Sequence, residues 1–338
     1  MQLKFWGTRG SNPVAYNDSN LRALFRDTIV QCRESGVSSL DDLLKFLDRP
    51  ELPYPITYGG NTPCVELRQG DQSLIVDMGT GLREAGTLHF GRRKEFIIFL
   101  THLHWDHLIG LPFFLPVFAP GHRLIIYHVH KSAPDSIRNL FNGINFPLTF
   151  NMLRSEFEFR KLEPYETVTH DEFDVTPFVL DHPGGCYGYR FESKGTSAAI
   201  GFDGSYTRVS RKDMGADLRF YQNLDILVFD AQYAMEELMN KFDWGHCAPN
   251  VGIDLALREG IKALALIHHD PWATRSKIRV AHDEAMEYLR DQTSRLPADW
   301  PHRDRGVPKL YSAYDGLEID ISKKGSQATR SPLPSQPC

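Results

Sequence analysis

The chain has 338 residues, 41% hydrophobic and 24% charged, enough to bury a sizeable core and too well balanced for a disordered chain or a small disulfide-stapled module. Its formal net charge is −5, from 38 Lys+Arg against 43 Asp+Glu, which is not the basic balance of a protein that works by coating nucleic acid. Five cysteines (Cys32, Cys64, Cys186, Cys247 and Cys338) without a CxxC pair argue against a disulfide framework or a thiolate zinc ribbon and fit a reducing, cytoplasmic setting.

The segment Met1-Gln2-Leu3-Lys4-Phe5-Trp6 alternates like a first strand and lacks the long apolar stretch of a signal peptide. No apolar run reaches the roughly 18 to 20 residues of a membrane span, so no membrane partner is expected. Residues 16–54 then break the strand pattern. Leu21, Leu24, Phe25, Thr28, Ile29 and Cys32 recur at helical spacing, and Ser39 with Asp42 three residues later makes an N-cap signal for a second helix. This reads as an inserted helical hairpin that covers the core, makes an oligomer contact, or forms a lid.

Strand-like runs fall at 2–6, 64–69, 73–77, 95–101, 123–128, 173–180, 187–192, 197–202, 224–229 and 262–267. Helical patterns lie near 20–34, 39–48, 134–142, 232–240, 248–259 and 275–293. Strands dominate the first half and alternate with helices later, which predicts an α/β sheet sandwich covered by helices, as a single domain over 1–321. Residues 322–338, rich in Ser, Pro, Lys and Gln, are expected to be a disordered tail.

The decisive segment is Phe96-Ile97-Ile98-Phe99-Leu100-Thr101-His102-Leu103-His104-Trp105-Asp106-His107, a buried strand running into a loop with three histidines and an aspartate. Residues two apart at a strand end point the same way, so His102 and His104 can grip one cation, while Asp106 and His107 face a second where the chain turns. A lone loop histidine would simply be solvated; the cluster is what points to metal. Imidazoles and a carboxylate without thiolates suit Zn²⁺, with Mn²⁺ or Fe²⁺ as alternatives.

This HxHxDH pattern after an apolar strand resembles the metallo-β-lactamase superfamily, which implies an αββα sandwich around two divalent cations. Further segments match that resemblance in order. His182 in Asp181-His182-Pro183-Gly184-Gly185 matches the third ligand of the first cation, and Asp203 at the end of Ala199-Ile200-Gly201-Phe202-Asp203 matches the bridging carboxylate. Asp230 is a rival whose place before a helix suits support or N-capping better. The last ligand is His268 or His269, with His268 preferred because related phosphodiesterases place it three residues before a proline-containing turn. In Trp244-Gly245-His246-Cys247-Ala248-Pro249, His246 resembles the histidine of the RNase Z-like phosphodiesterase branch that stabilises developing charge or protonates the leaving oxygen.

Three glycine-rich segments, at 6–11, 58–62 and 77–81, resemble the N-terminal loops of that branch, with Asp77 holding the metal loop and Arg9 and Asn61 as candidate phosphate contacts. Trp105, Phe146 and Trp244 are candidates to stack a base. Cys186 and Cys247 read as small buried apolar residues rather than nucleophiles. The resemblance implies a phosphodiesterase in which hydroxide held between two cations, oriented by Asp106 or Asp203, attacks phosphorus while His246 assists the leaving group. The expected substrate is a small cyclic nucleotide or cyclic phosphate. A tRNA 3′-end endonuclease is the alternative, disfavoured by the acidic balance and by an insertion without a Gly/Pro-Lys/Arg arm; a non-catalytic metal-binding scaffold is the alternative of another class. No stable nucleic-acid partner is expected, and a homodimer is plausible by resemblance alone.

Overall fold

The computed structural model describes residues 1–47, 55–208, 210–322 and 325–330. Its strands are β1 (Gln2–Gly7), β2 (Cys64–Gln69), β3 (Gln72–Val76), β4 (Glu95–Leu100), β5 (Arg123–His128), β6 (Glu156–Lys161), β7 (Val168–His170), β8 (Phe173–Leu180), β9 (Cys186–Ser193), β10 (Thr196–Gly201), β11 (Ile226–Asp230), β12 (Ala263–Ile267), β13 (Lys309–Ser312), β14 (Leu317–Ser322) and β15 (Gly325–Arg330). Its helices are α1 (Asp18–Glu34), α2 (Leu40–Leu47), α3 (Gly81–His89), α4 (Ala133–Asn139), α5 (Arg211–Met214), α6 (Met235–Leu238), α7 (Pro249–Glu259) and α8 (Arg275–Ser294).

The strands form two mixed sheets, one in the order β15-β14-β1-β2-β3-β4-β5-β6 and one in the order β13-β12-β11-β10-β9-β8-β7. Strands β3 to β6 run parallel in the first, and β10 to β13 run parallel in the second. The inner faces pack Leu74, Ile97, Phe99 and Ile125 against Phe191, Ile200, Val228 and Ala265, all buried. On the outer face of the first sheet, Leu82 and Ala85 of α3 cover Ile75, Phe96 and Ile98. On that of the second, Ile253, Leu257 and Leu289 of α7 and α8 cover Leu227, Phe229 and Leu266. Both faces of β4 are therefore buried, which is why it reads as an unbroken apolar run. This is the predicted α/β sandwich.

The insertion forms its two helices. Asn17 closes a capping box with Asn20 at the start of α1, and Ser39 Oγ accepts from the Asp42 amide (3.1 Å) ahead of α2. Its described residues give the core little cover. Only Thr28, Cys32 and Phe46 of the two helices are buried, while Phe25, Ile29 and Leu40 are 66%, 59% and 69% exposed. Residues 48–54 of the expected insertion lie outside the described residues.

The expectation of a disordered tail from residue 322 is corrected over Gly325–Arg330, which forms β15 and pairs antiparallel with β14. A strand at a sheet edge needs the backbone ladder more than an apolar face, so its polar composition conceals it. Ser326 is its buried anchor, within 2.9 Å of the Tyr311 hydroxyl. Residues 331–338 lie outside the described residues.

Candidate metal centre

The centre forms where strands of both sheets end. Asp77, just after β3 and at φ 63°, accepts from the Thr101 amide (2.8 Å) and hydroxyl (2.7 Å). Its Oδ2 also lies 2.7 Å from His107 Nδ1, which holds that nitrogen protonated and turns Nε2 to the centre. Asp77 thus fixes the loop after β4 at both ends, as expected of it.

Two groups of ligand atoms result. His102, His104 and His182 bring nitrogens within 4.8 Å of one another, and so do the side-chain donors of Asp106, His107, Asp203 and His268. Asp203 stands between them: its Oδ2 is 3.1 Å from His102 Nε2 and 2.7 Å from His107 Nε2, and its Oδ1 is 2.8 Å from His268 Nε2. All seven predicted ligands are brought together. His182 is oriented by the Gly245 carbonyl (2.8 Å from Nδ1), and only glycine fits there, at φ 81° and with a Cβ position 2.3 Å from that nitrogen.

Despite those short approaches, His102 Nε2, His107 Nε2 and Asp203 Oδ1 are buried without a well-directed hydrogen bond among the described residues. Each such orphan costs about 1–3 kcal/mol unless something satisfies it. Imidazole nitrogens and carboxylates aimed at common points are a donor set for divalent cations, so the residues fit the group. Burial drives His102 down to about 3 and also lowers His104 and His182, keeping these imidazoles neutral with lone pairs available. Burial opposes charge on His107 and His268 as well, but Asp203 and Asp106 overcome it and push both up, His268 to about 10. Those protons are what a cation would displace. Despite burial, His107 holds both Asp106 and Asp203 well below the usual carboxylate range.

Backbone geometry turns His268, and not His269, into the cluster. His268 adopts φ 66° and its Nδ1 lies 2.7 Å from Gln232 Oε1, whereas His269 turns away to within 2.8 Å of the Ala313 carbonyl. Asp230 is engaged by neighbouring amides. It accepts from the amides of Asp203 (3.0 Å), Gln232 (3.1 Å) and Cys247 (3.1 Å) and lies 2.9 Å from His246 Nδ1, so its oxygens are spent, although a third donor set joins it to Asp203, His246 and His268. His246 stacks on His268 with centroids 4.9 Å apart, and its Nε2 makes no hydrogen bond among the described residues.

The candidate substrate contacts fare unevenly. Trp105 and Trp244 are exposed on the loops carrying His104 and His246. Asn61 accepts from the Thr80 hydroxyl (3.1 Å) and lines a cavity of 520 Å³ with Gly60, Thr80, Arg83 and Phe113. Arg9 as a phosphate contact is corrected: it is 2% exposed, and its guanidinium donates to the carbonyls of Gly59, Asp270 and Ala273, each at 3.0 Å. Phe146 as a base platform is also corrected, because it sits in an aromatic cluster with Phe113, Phe118 and Phe141. Cys186 and Cys247 are buried, and burial pushes both thiols up, against nucleophilic use.

Three residues escape sequence reasoning: Gln232 on His268, the Ser11 amide on Asp106 (2.8 Å), and Trp272, exposed just past the last ligand. Gln232 carried a usable signal, standing two residues after the strand end Asp230. A backbone amide carries none.

A sequence profile described as "Beta-lactamase superfamily domain" matches residues 74–269. Ribonuclease Z of Picrophilus torridus is 26% identical over 258 residues, covering 62% of this chain and 81% of its own length. Among solved structures, the short form of human tRNase Z superposes with a TM-score of 0.55 at 18% identity, covering 95% of this chain and 100% of its own. A diphosphatase from the PhnP family superposes equally well, with a TM-score of 0.55 at 18% identity, covering 95% of this chain and 98% of its own.

Proposed function

Since the chain belongs to the beta-lactamase superfamily, we propose that its centre hydrolyses a phosphodiester, a small cyclic nucleotide or cyclic phosphate, with His246 as the proton donor. His102, His104 and His182 would hold one divalent cation and Asp106, His107 and His268 a second, with Asp203 between them; when bound, the cations, zinc first among them, neutralise charge on phosphoryl oxygens and lower the pKa of nearby water.

The observation that carries this reading is the His246–Asp230 pair against that donor set. Breaking a phosphodiester expels an alkoxide, which leaves poorly unless it is protonated. Asp230 engages Nδ1 at 2.9 Å, which leaves Nε2 as the ring nitrogen that would give a proton to the leaving oxygen. Asp106 Oδ2 accepts from the Ser11 amide, while Oδ1, without a hydrogen bond among the described residues, is free to orient the attacking water. Trp105 and Trp244 offer exposed faces to a base.

The tRNA 3′-end reading is favoured by the relatives named ribonuclease Z. Against it stand the net charge of −5 and an insertion that presents Phe25, Ile29 and Leu40 rather than a basic arm. Purified, zinc-loaded protein assayed on cyclic mononucleotides, cyclic dinucleotides, bis(p-nitrophenyl) phosphate and precursor tRNA tests the choice. Cleavage of a cyclic phosphodiester is expected; exclusive cleavage of precursor tRNA would overturn the substrate. The same reading includes no stable nucleic-acid or membrane partner and a homodimeric assembly, which light scattering would check.

A further inference from the structure

The glycine-rich loop after β1 touches two ligands of one cation group. The Ser11 amide donates to Asp106 Oδ2 at 2.8 Å. Gly10 packs so closely on His268 that a Cβ there would lie 2.4 Å from its Nδ1 and 2.9 Å from Gln232 Oε1. The loop is stitched to the chain just after β12, with Gly10 N donating to the His269 carbonyl (2.9 Å) and His269 N to the Thr8 carbonyl (3.0 Å). A second seam joins it to the loop before β2, through the amides of Thr8 and Arg9 on the Asn61 carbonyl, both at 2.9 Å. Arg9 stands at the crossing. Its buried guanidinium binds carbonyls from both partners, Gly59 on one side and Asp270 and Ala273 on the other.

We propose that Arg9 is a positioning residue that holds loop 8–11 as a clamp on the Asp106–His107–His268 cation group alone, leaving the His102–His104–His182 group independent of it. The inference rests on the two-cation reading above. A fixed guanidinium with donors in a rigid fork can span three carbonyls, which neither an apolar side chain nor a single ammonium reproduces. Releasing it frees the loop, so Ser11 N no longer meets Asp106 and Gly10 no longer backs His268. Groups that orient metal ligands typically change affinity 10- to 100-fold when removed. None of the loop contacts named here reaches His104 or His182.

The test is zinc stoichiometry, by metal analysis after exhaustive dialysis and by titration calorimetry of the metal-free protein, on wild type, Arg9→Met and Gly10→Ala. Wild type is expected to bind two equivalents. Both variants should keep one at wild-type affinity and bind the other at least about tenfold more weakly, with unchanged far-ultraviolet circular dichroism. Two equivalents at wild-type affinities in a folded Arg9→Met overturns the clamp, and so does parallel weakening of both equivalents. If Arg9→Met does not fold, Gly10→Ala decides by the same criteria. Fewer than two equivalents in wild type would instead defeat the two-cation reading, whatever Arg9 does.

Discussion

Asp230 joins two tasks in one carboxylate: it pins the backbone of Asp203 and sets the ring of His246. The proton-donor role of His246 has a sharp signature. His246→Gln should lower kcat on an alkyl phosphodiester by about 10²- to 10⁴-fold. The loss on bis(p-nitrophenyl) phosphate should be far smaller, because p-nitrophenolate leaves without a proton; equal losses on both substrates would remove the role. Away from the centre, Glu66 is a buried carboxylate held by Trp6, Arg68, Ser73 and Arg93, with His89 beside it. Burial works against its charge, but His89 and Arg68 outweigh burial and hold it well below the usual 4.5. Its stabilising contribution is therefore complete above that value and is lost as pH falls toward the depressed one. Glu66→Gln should cost about 3 kcal/mol at neutral pH, as breaking a buried ion pair does. Denaturant melts from pH 7 to pH 3 should also show a shallower acid decline than wild type, and parallel curves would contradict this. At this scale spacing after β4 makes His102, His104, Asp106 and His107 legible as candidate ligands, and the resemblance adds His182, Asp203 and His268. The correction at Arg9 was not legible, because a guanidinium that reaches three carbonyls cannot be told in sequence from one that faces a ligand.

Strands buried on both faces announce themselves as apolar runs, and β4, β5, β11 and β12 were read that way. Edge strands such as β6, β13 and β15 carry charges and hydroxyls and escape that reading. Helix α3 was missed for a different reason. Gly86 lowers its propensity, yet a Cβ there would lie 2.5 Å from the Phe114 ring, so close packing takes precedence over helix preference. Gly86→Ala should thus destabilise by about 1–3 kcal/mol through overpacking, despite improving the helix. The unfolding midpoint in urea checks this, and a gain would show that Phe114 yields. The apolar stripe of α1 makes the opposite expectation. Phe25→Ser and Ile29→Ser should leave monomer stability within about 0.5 kcal/mol of wild type, as surface substitutions do. A loss of several kcal/mol in the same urea melts would mean these side chains are covered within the fold.

Over the whole molecule, the centre draws ligands from the ends of strands in both sheets, so bound cations cross-link the sandwich. A cation at a hundred times its Kd adds about 2.7 kcal/mol per site to the native state. Removing it with a chelator should lower the thermal midpoint by several degrees in calorimetry, with recovery on adding zinc; identical midpoints would mean that the native protein holds no stabilising ion. The sandwich was legible in sequence from strand order, whereas the closing of its first sheet was not. Strand β1 lies between β2 and β14, Gly316 N donates to the Phe5 carbonyl (2.7 Å), and Asp315 accepts from the amides of Gly60 (3.0 Å) and Asn61 (2.9 Å). During synthesis the opening strand therefore waits for residues 315–322 to clear the ribosome before its second edge is paired. A chain cut after His268 would carry all seven candidate ligands yet lack the Asp315 tie that seats the loop before β2.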